Sequence, residues 1–356
     1  MKSLVLAGLA LLAGCQTSAL VDDVDLSLDF SPLTGPSDAL HTPYVAGAQF
    51  NVWIEANHGD IHGWSIVSED PTILSVGAFD AATNDGYAPA VAVRAGDTRL
   101  VIIDYNGLTR HTHDVSVKVP DRIDVLAHGP LLLGDETDAV VSSPQILTGG
   151  TATFLTEPYA EGDRLYGNHA LSVVPHAGST AIVEHTSFLE DRDWLAITAD
   201  AEPGASSVDL VVAGQTIRTL PVEVVDDSVI TSMQLVGESE KHRHSKESLV
   251  VVAEASSAGG PVYGVTYDFT VDGQAQAADG DVYRYTYDKH DDVMLEASHG
   301  TLADGVLIHS SGGYVSSTNA TGCSAAPGSV TTPWALFCVG AAIVASRRRR
   351  YFEMSR

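Results

Sequence analysis

The sequence predicts an all-β body built from tandem β-sandwiches, and three observations predict it. Apolar residues recur at every second position in Val24-Asp-Leu26-Ser-Leu28-Asp-Phe30, Phe50-Asn-Val52-Trp-Ile54-Glu, Val91-Ala-Val93 and Val115-Ser-Val117-Lys-Val119. That period of two puts one face of an extended strand toward a core. Turn signals such as Asn84-Asp-Gly86, Ala95-Gly-Asp97 and Asn106-Gly107 recur at short intervals. Between residues 21 and 315 no convincing amphipathic helix breaks the pattern. A sheet that is apolar on one face must bury it against another sheet, and many short strands of this kind make sandwiches.

A long-range repeat divides the body. Gly96-Asp-Thr-Arg-Leu-Val-Ile-Ile-Asp104 runs through Leu108-Thr-Arg110 to Val115-Ser-Val-Lys-Val-Pro-Asp121. On the order of a hundred residues later, Gly204-Ala-Ser-Ser-Val-Asp-Leu-Val-Val212 runs through Thr216-Ile-Arg218 to Leu220-Pro-Val-Glu-Val-Val-Asp226. Each reads as the last hairpin of a sandwich, followed by a linker and a new first strand at Arg122-Ile-Asp-Val-Leu126 or Ser232-Met-Gln-Leu-Val236. The spacing fits one Ig-like sandwich per period and predicts units over residues 21–120, 121–227 and 228–310. The first unit resembles bacterial Ig-like (Big) domains through Trp64-Ser-Ile-Val-Ser-Glu-Asp-Pro-Thr-Ile-Leu-Ser-Val76 and Val91-Ala-Val-Arg-Ala-Gly-Asp-Thr-Arg-Leu-Val-Ile102. The second resembles them less, around Leu171-Ser-Val-Val174 and Trp194-Leu-Ala-Ile-Thr198. The third departs most, with strand-like runs at residues 249–253, 262–271, 283–287 and 293–297. There Tyr283, Tyr285 and Tyr287 share one face at period two, either a packed sheet face or a carbohydrate-stacking platform.

The ends of the chain read as targeting segments. Met1-Lys2-Ser3 supplies a positive start, and residues 4–13 an apolar stretch of signal-peptide length. The stretch closes on Leu12-Ala13-Gly14-Cys15, which is similar to the bacterial lipoprotein box. The resemblance implies a signal peptide over residues 1–15 and a diacylglyceryl group on the Cys15 thiol; the alternative is an ordinary signal peptide with an incidental cysteine. Gln16, not Asp, follows, so nothing resembles an inner-membrane retention signal.

At the other end, residues 311–329 form a Ser/Gly/Thr-rich tether. Residues 330–356 then hold the apolar run Trp334-Ala-Leu-Phe-Cys-Val-Gly-Ala-Ala-Ile-Val-Ala345 followed by Arg347, Arg348, Arg349 and Arg350. The run is shorter than the ~20 residues that cross a bilayer comfortably. It is expected to make a short transmembrane helix whose arginines stop on the cytoplasmic side, a buried core helix being the alternative. Gly322-Cys323, the apolar segment and the arginine cluster together resemble the MYXO-CTERM class of C-terminal sorting signals in myxobacterial surface proteins. That resemblance implies cleavage near Cys323 and display of the exported part on the cell surface.

The three cysteines, Cys15, Cys323 and Cys338, all fall in these terminal segments. The body therefore has no disulfide, CxxC motif or thiolate metal site. The chain carries 19 Lys and Arg against 46 Asp and Glu, a net charge of −27. Setting aside Lys2, Arg347, Arg348, Arg349, Arg350, Glu353 and Arg356 leaves 13 basic against 45 acidic residues, a net of −32. Such a body repels nucleic acid and anionic headgroups; solubility in salt and loose divalent-cation binding are the two readings of its acidity.

Histidines are the remaining candidates for chemistry. His58-Gly-Asp60-Ile-His62 places two imidazoles four residues apart and His111-Thr-His113-Asp114 two residues apart, in each case on one side of an extended chain. Zinc needs three or four converging ligands, and each cluster offers two or three. Lys241-His-Arg-His244 is a basic spot expected at a hairpin tip. No EF-hand, HExxH, Walker, Rossmann or Gly-x-Ser-x-Gly pattern is present.

The sequence thus predicts an exported, non-catalytic protein anchored at the cell envelope, at the outer membrane or cell surface, with a structural or adhesive role. The alternatives are a glycan- or protein-binding module that uses loops at one end of a sandwich, and a metal-dependent enzyme on a β scaffold. Expected partners are the membrane, through the lipid, the C-terminal helix or both, and a surface protein or glycan, but not nucleic acid. No catalytic residue, cofactor or metal ligand set is assigned.

Overall fold

The computed structural model describes residues 26–31, 42–56, 60–81, 85–134, 139–184, 192–200, 202–238, 248–278, 280–286, 292–308 and 314–316. The first unit contains β1 (Leu26–Ser31), β2 (Tyr44–Val45), β3 (Gln49–Ala56), β4 (Ser65–Ser68), β5 (Leu74–Val76), β6 (Asp80–Ala81), β7 (Asp85–Ala92), β8 (Gly96–Ile103) and β9 (Thr109–Lys118). One sheet runs β1-β3-β7-β5 with β6 beside β7; the other runs β2-β9-β8-β4, with β2 parallel to β9. Such a pairing of two sheets, with the first strand's continuation crossing to lie parallel to the last, is the immunoglobulin strand order. Alternation closes the sandwich: Ala88, Ala90 and Ala92 face Leu100, Ile102, Val115 and Val117 within one buried cluster.

The second unit repeats this order. Its elements are β10 (Arg122–Ala127), α1 (His128–Leu132), β11 (Gln145–Leu147), β12 (Thr151–Ala160), β13 (Asp163–Arg164), β14 (Leu171–Pro175), β15 (Ser179–Glu184), β16 (Asp193–Ala199), β17 (Gly204–Val212) and β18 (Gln215–Val225). One sheet runs β10-β12-β16-β15, and β14-β17-β18-β11 begins the other, with β11 parallel to β18. The repeated segments recognised in the sequence are the equivalent hairpins β8–β9 and β17–β18. The helix α1 is five residues long, too short to form an amphipathic helix. It is a single turn, with Pro130 in the first turn where a missing N–H leaves no bond broken. Around it Leu126, Ala139 and Leu155 form a small second core, with Leu131 and Trp194 packed against it, on the outer face of the β10–β12 sheet.

The remaining strands are β19 (Ser232–Gly237), β20 (Ser248–Ser257), β21 (Gly260–Tyr263), β22 (Asp268–Val271), β23 (Gln274–Gln276), β24 (Val282–Thr286), β25 (Val293–His299), β26 (Leu302–Ile308) and β27 (Tyr314–Ser316). The run 262–271, read as one strand-like segment, divides at Gly264 (φ +72°) into β21 and β22, which belong to different sheets. Five strands, β23-β22-β25-β26-β27, form one layer. The strands β21-β20-β19, with β24 beside β20, continue the β14-β17-β18-β11 sheet into eight strands. Residues 248–253 are buried on both faces. Leu249, Val251 and Ala253 enter the third unit's core, while Val252 meets α1 so closely that a Cβ on Gly129 would lie 2.8 Å from it. A continuous apolar run is the sequence mark of a strand covered on both faces.

Candidate functional site

The two junctions between units, and the free end of the first, hold the most distinctive chemistry. At the first junction, residues 43–49 dock on residues 166–170. The Val45 amide donates to the Tyr166 carbonyl at 2.9 Å, Tyr166 donates back to Pro43 at 3.0 Å, and Gln49 donates to Asn168 at 3.1 Å. Tyr44 stacks on Phe50 with ring centroids 4.4 Å apart. Gly167, at φ +98°, lies where a Cβ would come within 2.6 Å of the Ala48 methyl. Buried apolar residues from both units form one cluster, from Tyr44 to Val224. Between them, bounded in part by Val45, Thr156 and Asp193, is a cavity of about 10 Å³, near the smallest void that holds one water.

A network centred on the buried carboxylate of Glu157 lies beside this junction. Glu157 Oε1 is 2.6 Å from Arg192 Nη2, and its Oε2 accepts from the Tyr159 hydroxyl at 2.9 Å. Arg122 lies 4.3 Å from the Tyr159 ring centroid and Arg164 lies 5.1 Å from that of Tyr166. Lys118 pairs with Glu161 at 2.8 Å. The basic side chains here are engaged within the chain.

At the second junction β11 is shared. It is parallel to β18 through Gln145↔Glu223, Ile146↔Val224 and Leu147↔Val225, and parallel to β21 through Gln145↔Val262 and Ile146↔Tyr263. Ser257 donates to Gln145 Oε1 at 2.7 Å. The Phe154 and Tyr263 rings meet edge to face at 5.2 Å. Two glycine backbones touch here: a Cβ on Gly150 would lie 2.3 Å from the Gly264 carbonyl oxygen.

The free end of the first unit is set by strand register. Leu26 pairs with Ala56, Glu55 with Asp85, and Ser65 with Ile103, so the last residues of β3, the first of β7 and the turn between β8 and β9 lie at one end. There Asp104 is buried. Its Oδ1 accepts from the Asn106 and Leu108 amides at 2.8 and 2.9 Å, and its Oδ2 from Arg110 Nε at 2.7 Å. Burial pushes this carboxyl up, but the Leu108, Arg110 and Asn106 bonds together outweigh burial and hold it below the ordinary carboxylate value. The hairpin that Asp104 fixes turns Tyr105 (69% exposed) and Leu108 (57% exposed) outward.

The sequence-predicted candidates divide sharply. Asp60 and His62 meet, Oδ1 to Nδ1 at 2.6 Å. The His62 amide and then its ring hold the Asp60 carboxyl below its ordinary value. Asp114 is taken by Arg99 at 3.0 Å. Burial and then the neighbouring His111 hold His113 below the ordinary histidine value. Among the described residues no three His, Cys, Asp or Glu side chains are placed to hold a metal. Tyr285 is buried and Tyr283 stacks on Phe269 at 5.6 Å, so this part of the tyrosine row packs into the third core instead of offering a platform.

Cys15, His58, residues 241–244, Tyr287, Cys323 and residues 330–356, including Arg347, Arg348, Arg349 and Arg350, lie outside the described residues. Among the described residues no helix is long and apolar enough to cross a membrane. The buried Asp104, the glycine contact and the shared strand were missed in the sequence. Only Asn106-Gly107, two residues beyond Asp104, signalled any of them.

No protein-family model matches the chain, and no curated protein matches it. Several solved structures do. Domains 4–9 of the surface layer protein SbsC are 15% identical, with 82% of this chain and 47% of that one covered at a TM-score of 0.34. FdeC, an Escherichia coli adhesin, is 14% identical over 78% of this chain and 92% of that one, TM-score 0.24. Invasin, a bacterial integrin-binding protein, is 11% identical over 81% and 59%, TM-score 0.24. The chain spans less than half the length of the surface-layer structures first matched. Likenesses this low assign neither a family nor a function.

Proposed function

We propose that the chain is a non-catalytic, surface-anchored spacer of three tandem Ig-like units, over residues 21–120, 121–227 and 228–310, with a structural or adhesive role at the cell envelope. The observation that carries the reading is backbone hydrogen bonding across both junctions, which sets successive units in fixed orientation end to end. A spacer needs that property, and an enzyme cleft does not. The ends supply the anchors: Cys15 for lipid, Cys323 for processing, the apolar run for the membrane and Arg347–Arg350 as its stop. Intact mass of the protein taken from cells tests this. A lipid-bearing Cys15 and a chain ending near Cys323 are expected; a chain still running from Met1 to Arg356 overturns the anchored reading.

A second reading is favoured by one observation, the Tyr105 and Leu108 side chains held outward on a rigid hairpin. Rigid aromatic anchors bind partners at low entropic cost, and the reading makes this loop end a binding surface for a glycan or surface protein. Binding of the labelled protein to whole cells that lack it decides the matter. Binding that Tyr105→Ser with Leu108→Ser abolishes supports the second reading; no binding by the wild type, or binding the double variant keeps, overturns it.

A further inference from the structure

His299 closes β25 beside the turn that links the second unit to the third. Its Nε2 lies 2.5 Å from Asp227 Oδ1, and its Nδ1 lies 2.9 Å from the Thr266 carbonyl oxygen. Asp227 sits in the 3₁₀ turn Asp227–Val229, and Thr266 lies between β21 and β22. Both partners are acceptors, a carboxylate and a carbonyl. Neutral imidazole has one N–H and satisfies one of them; imidazolium has two and satisfies both.

The surroundings leave the carboxylates to decide the ring's charge. Tyr267 meets the imidazole with ring centroids 6.2 Å apart, and the His299 side chain is only 19% exposed. From the linking turn the titratable neighbour is Asp227, and from β22 it is Asp268. Asp226, next in the turn, bonds the Ser228 amide at 2.8 Å. On β26 the residue paired with His299 is Leu302, which does not titrate.

We propose that His299 is a proton-operated clasp between the second and third units: its imidazolium holds the linking turn and the β21–β22 loop together, and loss of the proton releases one of the two. Burial pushes the ring's pKa down, but the bonds to Asp227 and Thr266, with the Asp227 and Asp268 charges, outweigh that and raise it above the ordinary histidine value. A raised folded-state pKa gives stability that is fully present below the unfolded value of ~6.5. That stability is lost as pH climbs through the folded value. The junction is therefore tightest in mild acid and loosens toward alkaline pH, the opposite of what a carboxylate with a lowered pKa such as Asp104 does on acidification.

The test is a pH titration of the full chain with ring-labelled histidine, followed by NMR. The His299 resonance is identified by its loss in His299→Gln. We expect its midpoint above the ~6.5 of an ordinary histidine and a lower midpoint in Asp227→Asn. Asp227 is 67% exposed, so that variant leaves packing intact and keeps the assignment available if His299→Gln fails to fold. Amide hydrogen exchange at Ser228, Val229 and Ile230 should quicken from mild acid to mild alkali in the wild type, beyond the intrinsic pH dependence, and lose that extra change in Asp227→Asn. A His299 midpoint at or below the ordinary value, or the same extra change in both proteins, overturns the proposal.

Discussion

The two junctions of this chain are both crossed by backbone bonds, but each is held by different means. Between the first and second units a single apolar core runs through, and only a few backbone bonds cross. Between the second and third the cores are largely separate clusters, and a single sheet runs through on the shared strand β11. A shared core is non-directional and tolerates small shifts, because hydrophobic burial depends on area. A shared sheet is directional and fixes register, because each backbone bond needs its partner opposite. The first arrangement makes two units fold together; the second makes two folded units hold one orientation.

The comparison is most easily broken at the glycine contact of the second junction. Gly150→Ala drives a methyl into the Gly264 backbone, where no side chain can move aside, and should cost about 3 kcal/mol in chemical denaturation. At the first junction, Gly167→Ala combines a left-handed backbone with an Ala48 methyl contact and should cost about 2 kcal/mol. Gln145→Ala removes the half-buried bond from Ser257, an expected loss of about 1 kcal/mol. Lys118→Ala, which frees an exposed Glu161, should leave the unfolding midpoint unmoved within error. A measurable loss there would mean that the first junction depends on charge as well as on its core.

Tryptophan sharpens the same contrast. Trp53 and Trp64 lie in the first unit and Trp194 in the second, and residues 228–310 contain none. With Trp334 replaced by Phe, fluorescence reports only the first two units. Trp53→Phe with Trp64→Phe, and separately Trp194→Phe, should give coincident denaturation curves if the shared core makes one cooperative body. Two separated curves would show that the first junction is a contact and not a common core.

Much of the fold was legible because it is local. Alternation placed β3 and β9 with the correct faces inward; at β7 it set Val91 and Val93 inward, whereas Ala92 is buried and both valines are exposed. The repeated hairpin segments proved to be structural equivalents, both opened by glycines in similar conformations, Gly96 (φ +151°) and Gly204 (φ +159°). What the sequence hid depends on distant partners. Gln145-Ile-Leu147 is too short to show any period, yet it pairs on both edges. Nothing local marks Gly150 and Gly264 as partners, and their backbones meet only in the folded chain. Asp104 was one of 46 acidic residues; the Asn106-Gly107 turn marked its neighbourhood, but nothing local marked its carboxylate, or those of Glu157, Asp193 and Glu238, as buried. The shared face of Tyr283 and Tyr285 follows from their period of two, while the stacking of Tyr283 on Phe269 required β24 and β22 to be brought together by the third core.

Sharing β11 also limits how this chain can be taken apart or extended. Chains of repeated units ordinarily grow and shrink by whole modules, because each module carries all of its own strands. Here a cut between residues 227 and 228 leaves β21 without its partner and bares an edge of β11, an unpaired ladder open to any passing strand. A duplicated or transplanted third unit would need residues 145–147 carried along with it, from a place more than eighty residues earlier in the chain. A cut that keeps every strand paired has to leave the last two units together.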